Sequence, residues 1–117
     1  HRDLNVWNTS FNVVTMIYEI TNDFPKNEIF GITSQIRRAA VSIPSNIAEG
    51  AARTSKKEFN NFLSIALGSA SELETQIIIS KNLEYLSSEK SAILLSELTG
   101  IQKMIAGLMK NIKSSLH

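Results

Sequence analysis

The chain has 117 residues, 20% of them charged, and a formal net charge of +1 at pH 7. This length predicts a single domain, residues 1–117, that is large enough to bury a core without crosslinks. The lack of cysteine excludes disulfides and thiolate metal sites. A charge so near zero excludes an overall attraction to nucleic acid, so any such attraction must come from uneven charge distribution.

The sequence contains only five glycines and two prolines, so it offers few points at which a helix would end. Helix 1 is predicted over about Asp3 to Thr21, because apolar residues recur there at helical spacing. Its predicted buried stripe is Val6, Ser10, Val13, Ile17 and Ile20. A turn from Asn22 to Pro25 follows, because proline disfavours a helical residue before it and tolerates the first turn of the next helix.

Helix 2 is predicted from about Lys26 to Ala48, with Gly50 as its C-terminal cap. Its predicted buried stripe is Ile29, Ile32, Ile36, Ala39, Ile43 and Asn46. Because a buried amide is costly without hydrogen bonds, Asn46 is expected to have partners on a neighbouring helix. Pro44 has no N–H to donate to the preceding turn, so a kink is expected there.

Helix 3 is predicted over Lys56 to about Leu83, after a capping box in which Ser55 accepts from the Glu58 N–H and Glu58 reaches back. Its predicted stripe is Phe59, Leu63, Ala66, Ala70, Leu73, Ile77 and Ser80. Helix 4 is predicted to start at an N-cap formed by Ser87 or Ser88 and to end near Ser114. Its predicted stripe is Leu94, Leu98, Ile101, Ile105, Leu108 and Ile112.

Four long helices with short connections predict an all-α, antiparallel up-down-up-down four-helix bundle. Several apolar residues lie off the main stripes: Leu67, Ile78, Ile79, Leu95, Met104 and Met109. Contiguous exposed apolar surface usually marks an interface, so self-association is predicted. No run of about 18 apolar residues is present, so neither a membrane-spanning helix nor a membrane partner is expected.

The segments Q-I-R-R-A-A, S-I-P-S-N-I-A-E-G and G-S-A-S-E-L-E resemble the four helix bundle protein family. Its members are also called 23S rRNA intervening-sequence proteins, because some are encoded within insertions in bacterial large-subunit rRNA genes. The resemblance covers nearly the whole chain. It implies a cytoplasmic bacterial protein that forms a ring-like homo-oligomer, a pentamer, in a family with no activity assigned to most members. Related accessory proteins of diversity-generating retroelements use basic surfaces to work with nucleic acid and a reverse transcriptase.

Basic residues are the candidate nucleic-acid contacts, because lysine and arginine neutralise phosphates. They are Arg37, Arg38, Arg53, Lys56, Lys57, Lys103, Lys110 and Lys113. Arg37 and Arg38 lie about four helical turns from the turn that holds Arg53, so only a ring of copies would join these patches into a belt. The alternative for the lysines of helix 4 is structural, because cations near a helix C-terminus interact favourably with the helix dipole.

A structural role is also the alternative for Arg37 and Arg38, and it is the expected role of three polar residues: Asn46, Glu49 and Glu72. If helices 2 and 3 run antiparallel, Thr33 lies level with Glu72, and Arg37 reaches Glu72 as a bidentate pair. The same register places Glu49 beside Lys56 in a more exposed pair. In this interpretation these residues tie helices or subunits together.

No catalytic, cofactor or metal site is predicted. The only histidines are His1 and His117, so the Glu-x-x-His elements of bundle di-iron sites are absent. Ser69 lies in L-G-S-A-S, which does not match the G-x-S-x-G pattern of a nucleophilic serine, and the sequence contains no glycine-rich phosphate loop. The sequence therefore favours a protein that is not an enzyme.

Two functions remain open at the level of sequence. The first is a homo-oligomeric accessory protein whose basic clusters contact RNA or DNA, which predicts binding that weakens steeply with salt. The second is a structural scaffold that binds a protein partner and has no nucleic-acid role. In the second case each basic residue would be neutralised by a nearby carboxylate.

Overall fold

The computed structural model describes residues 2–115 and the side chains of residues 5–115. Helices make up most of this range, and no strand occurs within it. The four α-helices are α1 (Arg2–Thr21), α2 (Ile32–Ala51), α3 (Lys56–Asn82) and α4 (Ser88–Ser115). The predicted all-α four-helix fold is confirmed.

The helices surround one elongated core, within overall dimensions of 49 × 25 × 20 Å. α2 packs against α1 and α3, and α4 packs against the same two helices. The stripe predicted for α4 is buried along its whole length, as is the stripe predicted for α3 except for the half-buried Phe59. Each stripe faces the core because its 3–4 spacing keeps one face of the helix apolar.

α2 has a wider buried face than its predicted stripe. The buried residues are Thr33, Ile36, Ala39, Ala40, Ile43, Pro44, Ile47 and Gly50. Ile47 occupies the core position that had been predicted for Asn46, which is only half-buried. The face is wide because α2 contacts a neighbour on each side, and a single stripe of 3–4 spacing covers only one of those contacts.

The prediction that helix 2 starts at Lys26 is wrong. Lys26–Glu28 forms a 3-10 turn instead, and α2 begins at Ile32 with Gly31 as its N-cap. Ile29 therefore precedes the helix and is exposed. The fixed φ of Pro25 starts this tight turn, in which the Glu28 N–H donates to the Pro25 carbonyl at 3.0 Å.

Gly50 is not the C-terminal cap that the sequence predicted. α2 continues through it to Ala51, and Gly50 is buried with a helical backbone rather than a left-handed one. A Cβ at this position would lie 2.7 Å from the Cβ of Phe62 and 2.9 Å from the Cδ1 of Phe59. Gly50 therefore allows α3 to approach α2 closely, which is a packing role and not a capping role.

The predicted serine caps are present at the starts of α3 and α4. The Glu58 N–H donates to Ser55 Oγ at 3.0 Å, and the Lys90 N–H donates to Ser87 Oγ at 3.1 Å. No hydrogen bond from the Ser55 N–H to the Glu58 side chain is found in the described part of the chain. The Glu58 carboxylate lies 3.9 Å from the guanidinium of Arg53 instead.

α3 ends in a Schellman motif that the sequence did not reveal. Glu84 has a positive φ of 65°, the Tyr85 N–H donates to the Ser80 carbonyl, and the Glu84 N–H donates to the Lys81 carbonyl. This pair of bonds satisfies carbonyls at the end of the helix. Glycine is the usual residue at the left-handed position, so a glutamate there gave no signal for the end of α3.

Contacts between α2 and α3 are those expected of neighbouring helices that run in opposite directions. Gly50 near the connecting turn lies against Phe59 and Phe62, and Ser42, further from the turn, contacts Ser69. The up-down-up-down order of the whole bundle and the kink at Pro44 stay predictions. α2 does continue as a helix across Pro44.

α3 and α4 are each long and apolar enough to cross a membrane, judged by length and composition alone. The expectation that the sequence contains no such helix was therefore too strong. Core helices of bundles pass the same test, and the buried stripes of α3 and α4 pack against the other helices. The absence of a membrane partner stays a prediction.

Candidate nucleic-acid interface

Arg53, at the turn between α2 and α3, is largely neutralised by its neighbours. Its guanidinium lies 2.7 Å from the Glu49 carboxylate and 3.9 Å from the Glu58 carboxylate. It also lies 5.0 Å from the centre of the Phe62 ring. The predicted pair between Glu49 and Lys56 is therefore wrong, because Arg53 sits one helical turn beyond Glu49 on the same face.

Lys56 instead connects the start of α3 to the end of α4. Its Nζ donates a hydrogen bond to Ser115 Oγ at 3.3 Å. This contact brings together two basic clusters that are far apart in sequence. We call the combined group the basic end and define it as four exposed lysines: Lys56, Lys57, Lys110 and Lys113.

The basic end carries positive charge that the described side chains do not cancel. Within residues 5–115, none of its four lysines has a carboxylate within 4.0 Å. Glu49 and Glu58, the nearby acids, are both occupied by Arg53. Exposed ammonium groups at one end of the bundle are suited to contacting phosphates.

Arg37 lies far from the basic end and contacts α1. Its Nε donates to Thr21 Oγ1 at 2.8 Å, and its guanidinium lies 4.7 Å from the centre of the Tyr18 ring. The predicted pair with Glu72 is therefore wrong, and Glu72 is exposed on α3. The predicted register would place Ser42 level with Leu63, but Ser42 contacts Ser69, so the two helices are offset by more than a turn.

Arg38 and Lys103 lie outside the basic end. Both are exposed, and neither has a carboxylate within 4.0 Å in the described part of the chain. Lys103 is two helical turns before Lys110, on the same side of α4. Arg38 and Lys103 add exposed positive charge to one copy, but they do not connect the basic end with Arg37.

Asn46 forms its hydrogen bonds within its own helix. Its Nδ2 donates to the Ser42 carbonyl at 2.8 Å and to Ser42 Oγ at 2.9 Å. Ser42 Oγ in turn lies 2.8 Å from Ser69 Oγ on α3. The expected direct link from Asn46 to a neighbouring helix is therefore wrong, but Ser42 carries an indirect link between the two helices.

The structure also reveals features that the sequence analysis missed at the turn between α1 and α2. A surface cavity of about 390 Å³ lies there, and Lys26, Thr33 and Arg37 are among its lining residues. The Tyr85 hydroxyl donates to Glu28 Oε2 at 2.8 Å, which ties this turn to the turn between α3 and α4. The only signal in the sequence was Arg37 itself, because the other residues gather only when α1 packs on α2.

Within the described residues, no group of three or more histidine, cysteine, aspartate or glutamate residues is arranged to hold a metal ion. The buried polar side chains with an unpartnered atom are Thr33, Asn60 and Gln76, and none of them is acidic.

Comparisons with known proteins address the family. The sequence profile of 23S rRNA-intervening sequence proteins matches residues 2–107. A crystal structure of a protein of unknown function from the S23 ribosomal protein family of Bacteroides thetaiotaomicron is similar, with a TM-score of 0.87 and 27% identity. That similarity covers 94% of this chain and 99% of the other chain. No curated protein matches the chain. Because the profile spans nearly the whole sequence, the chain belongs to the 23S rRNA-intervening sequence protein family.

Proposed function

We propose that this protein is a non-enzymatic, cytosolic homo-oligomer whose basic end contacts the phosphates of RNA or DNA. The hydrogen bond between Lys56 and Ser115 is the observation that carries the proposal. It brings the start of α3, which carries Lys56 and Lys57, beside the end of α4, which carries Lys110 and Lys113, although these segments are more than 50 positions apart in the chain. A cluster of four lysines has the chemistry of a phosphate contact, since binding strength scales with the number of phosphates neutralised.

The lysines of the basic end have no carboxylate within 4.0 Å in the described part of the chain, and this supports the proposal over a purely structural role. Arg53 shows what a structural cation looks like in this protein, because two glutamates and an aromatic ring surround it. The lysines of the basic end have no comparable partners in the described part of the chain. The helix dipole favours cations near the end of α4, but it does not account for Lys56 and Lys57 at the start of α3.

The family name makes 23S rRNA the first nucleic acid to test. A self-associating protein would present several basic ends to one long strand, and linked weak contacts of this kind multiply into tight binding. The ring-like pentamer is part of this proposal. The relation to accessory proteins of diversity-generating retroelements stays a prediction.

The test is fluorescence anisotropy with a labelled 23S rRNA fragment and a duplex DNA, over about 50 to 200 mM salt. We expect the affinity to fall steeply with salt, with a logarithmic slope of about −3 to −4 for each copy that uses all four lysines. The double variant K57E/K113E should weaken binding at least about tenfold and reduce the magnitude of the slope by about two.

The matched control is K81E/K90E, which makes the same change of charge at the opposite end of α3 and α4. Lys81 and Lys90 are exposed and lie beside the turn between these helices. If both double variants weaken binding equally, net charge and not the basic end controls binding. Undetectable binding of both nucleic acids at about 50 mM salt would end the proposal.

A scaffold that binds a protein partner is the second candidate function. Exposed apolar side chains favour it, above all Phe30, whose surface is 94% exposed. The adjacent Ile29 is 48% exposed, so the two residues together form an exposed apolar surface. Contiguous apolar surface of this kind usually marks a protein–protein interface. Purification of a stable complex with a second protein that excludes RNA would favour this candidate over the first.

A further inference from the structure

The cavity at the turn between α1 and α2 lies about 24 Å along α2 from Arg53 and the basic end. Its volume is about 390 Å³. Its lining residues come from the end of α1, the connecting turn and the first half of α2: Thr21, Asn22, Phe24, Pro25, Lys26, Ile29, Thr33 and Arg37. Two of these residues are cations, and none is an acid. The cavity is therefore a positively charged concave surface.

Arg37 is the half-buried cation of this cavity, and its protein partners are all neutral. Its Nε donates to Thr21 Oγ1 at 2.8 Å, its Nη2 donates weakly to Asn22 Oδ1 at 3.5 Å, and its charge lies over the Tyr18 ring. No carboxylate of the described residues lies within 4.0 Å of it. These contacts hold the guanidinium in place without cancelling its charge, so an anion in the cavity would find an oriented partner.

Lys26 is the second cation of the cavity wall, and the other lining residues are neutral. Lys26 is exposed and has no carboxylate within 4.0 Å in the described part of the chain. Thr33 lies in the first turn of α2, and its buried Oγ1 has no hydrogen-bond partner. The Glu28 carboxylate lies against Gly31 at the start of α2, so the helix start already has a negative partner. The nearby Glu28 is held by Tyr85 and does not line the cavity.

We propose that this cavity binds the phosphate group of a phosphate ester. A guanidinium with fixed orientation, a second flexible cation and a buried hydroxyl without a partner are groups that donate to phosphate oxygens. The cavity is much larger than one phosphate, which leaves room for the group that the phosphate carries, and Phe24, Pro25 and Ile29 provide an apolar wall for it. The site is separate from the basic end, so this inference does not rest on the nucleic-acid proposal.

The test is NMR titration of the labelled protein with inorganic phosphate, adenosine 5′-monophosphate and acetate at constant ionic strength. We expect saturable shifts of the amides of Asn22, Thr33 and Arg37 with both phosphates, and weaker ones with acetate. Arg37→Gln should weaken phosphate binding at least about tenfold, and Lys57→Gln at the basic end should change it less than about twofold. Lys26→Gln, an exposed change that leaves the packing intact, should weaken binding by about threefold.

Two further arms identify the source of the phosphate. If an oligonucleotide with a 5′-phosphate binds more tightly than its 5′-hydroxyl counterpart, and Arg37→Gln removes this difference, the cavity binds the ends of nucleic-acid strands. Equal binding of the two oligonucleotides, with retained binding of the mononucleotide, assigns it to small phosphate esters. Three results would overturn the proposal. They are the lack of a saturable shift with either phosphate, acetate binding as tight as phosphate binding, and phosphate binding that Lys26→Gln leaves unchanged.

Discussion

Gly50 illustrates how one residue controls the distance between two helices. Its sequence position, just before a short turn, is typical of a helix cap, but its backbone is helical and its missing Cβ makes room for Phe59 and Phe62. Gly68, in the middle of α3, has no neighbouring atom within 4 Å of the position that a Cβ would occupy. The same residue type therefore has opposite consequences for stability at these two positions.

We predict that Gly50→Ala lowers the free energy of unfolding by about 1–3 kcal/mol, because the new methyl group overlaps the side chains of α3. Gly68→Ala should raise it by about 0.5–1 kcal/mol, because alanine is the better helix former and meets nothing. Urea denaturation followed by circular dichroism measures both changes. Changes of the same sign at both positions would contradict this account of Gly50.

Helix identity was predictable from local patterns, but contacts between helices were not. The stripes of α3 and α4 and the caps at Ser55 and Ser87 follow from spacing and from side-chain chemistry within one turn. The start of α2 was missed because the apolar spacing continues back through Ile29 into a segment that folds as a 3-10 turn. Sequence spacing cannot distinguish these two outcomes when a proline precedes the segment.

The partners of Arg37 and Glu49 were mispredicted for a related reason. Both predictions assumed that residues of α2 and α3 at equal sequence distance from the middle of the connecting turn lie level with each other. Contacts such as Ser42 with Ser69 and Gly50 with Phe62 set a different offset, and α1 competes for Arg37. The cavity beside Arg37 depends on three segments, so no local pattern reveals it.

Tyr85 and Glu28 connect the two turns at one end of the bundle, and this link should make stability depend on pH. The hydrogen bond to Glu28 raises the pKa of Tyr85 above its ordinary value of 10.0, and burial and the negative charge of Glu28 act in the same direction. The folded state therefore holds the phenol proton more tightly than the unfolded state. The stabilisation is complete below pH 10 and is lost as the pH rises through the folded-state pKa.

We predict that Tyr85→Phe is less stable than the natural protein at pH 8 and that the difference shrinks as the pH rises above about 10. The free energy of unfolding in urea, measured at several pH values, tests this. Tyr18→Phe is the matched control, because it removes a hydroxyl with no hydrogen bond to the described residues and leaves a ring beneath Arg37. A difference for Tyr85→Phe that does not change with pH would show that the link to Glu28 is absent in solution.

At the scale of the whole molecule, apolar groups are distributed differently from the sequence-based expectation. Most of the off-stripe residues predicted to drive self-association pack partly against the core: Leu67, Leu95, Met104 and Met109. Ile78 and Ile79 remain 41% exposed. The most exposed large apolar side chain of the described residues is Phe30, which the stripes did not identify because it lies in the turn before α2.

Phe30 is therefore the side chain whose removal should affect association most. Grooves lined by apolar residues lie elsewhere on the surface, among them one between α1 and α2 that contains Trp7, Phe11 and Pro44. If the projecting ring of one copy enters the groove of the next, the contact is head-to-tail, and such contacts form a ring when the rotation between copies closes. A ring-like oligomer is compatible with this arrangement and stays a proposal.

We predict that Phe30→Ser shifts the protein toward the monomer in analytical ultracentrifugation and leaves its helix content unchanged. Burying a phenylalanine ring is worth about 1.5–3 kcal/mol, so each contact should weaken by about tenfold to a hundredfold. Asn27→Ser, an exposed change in the same turn, should leave the oligomer intact. A natural protein that is already monomeric at micromolar concentration would exclude self-association, and an intact Phe30→Ser oligomer would move the interface to the face of α3 that carries Ile78.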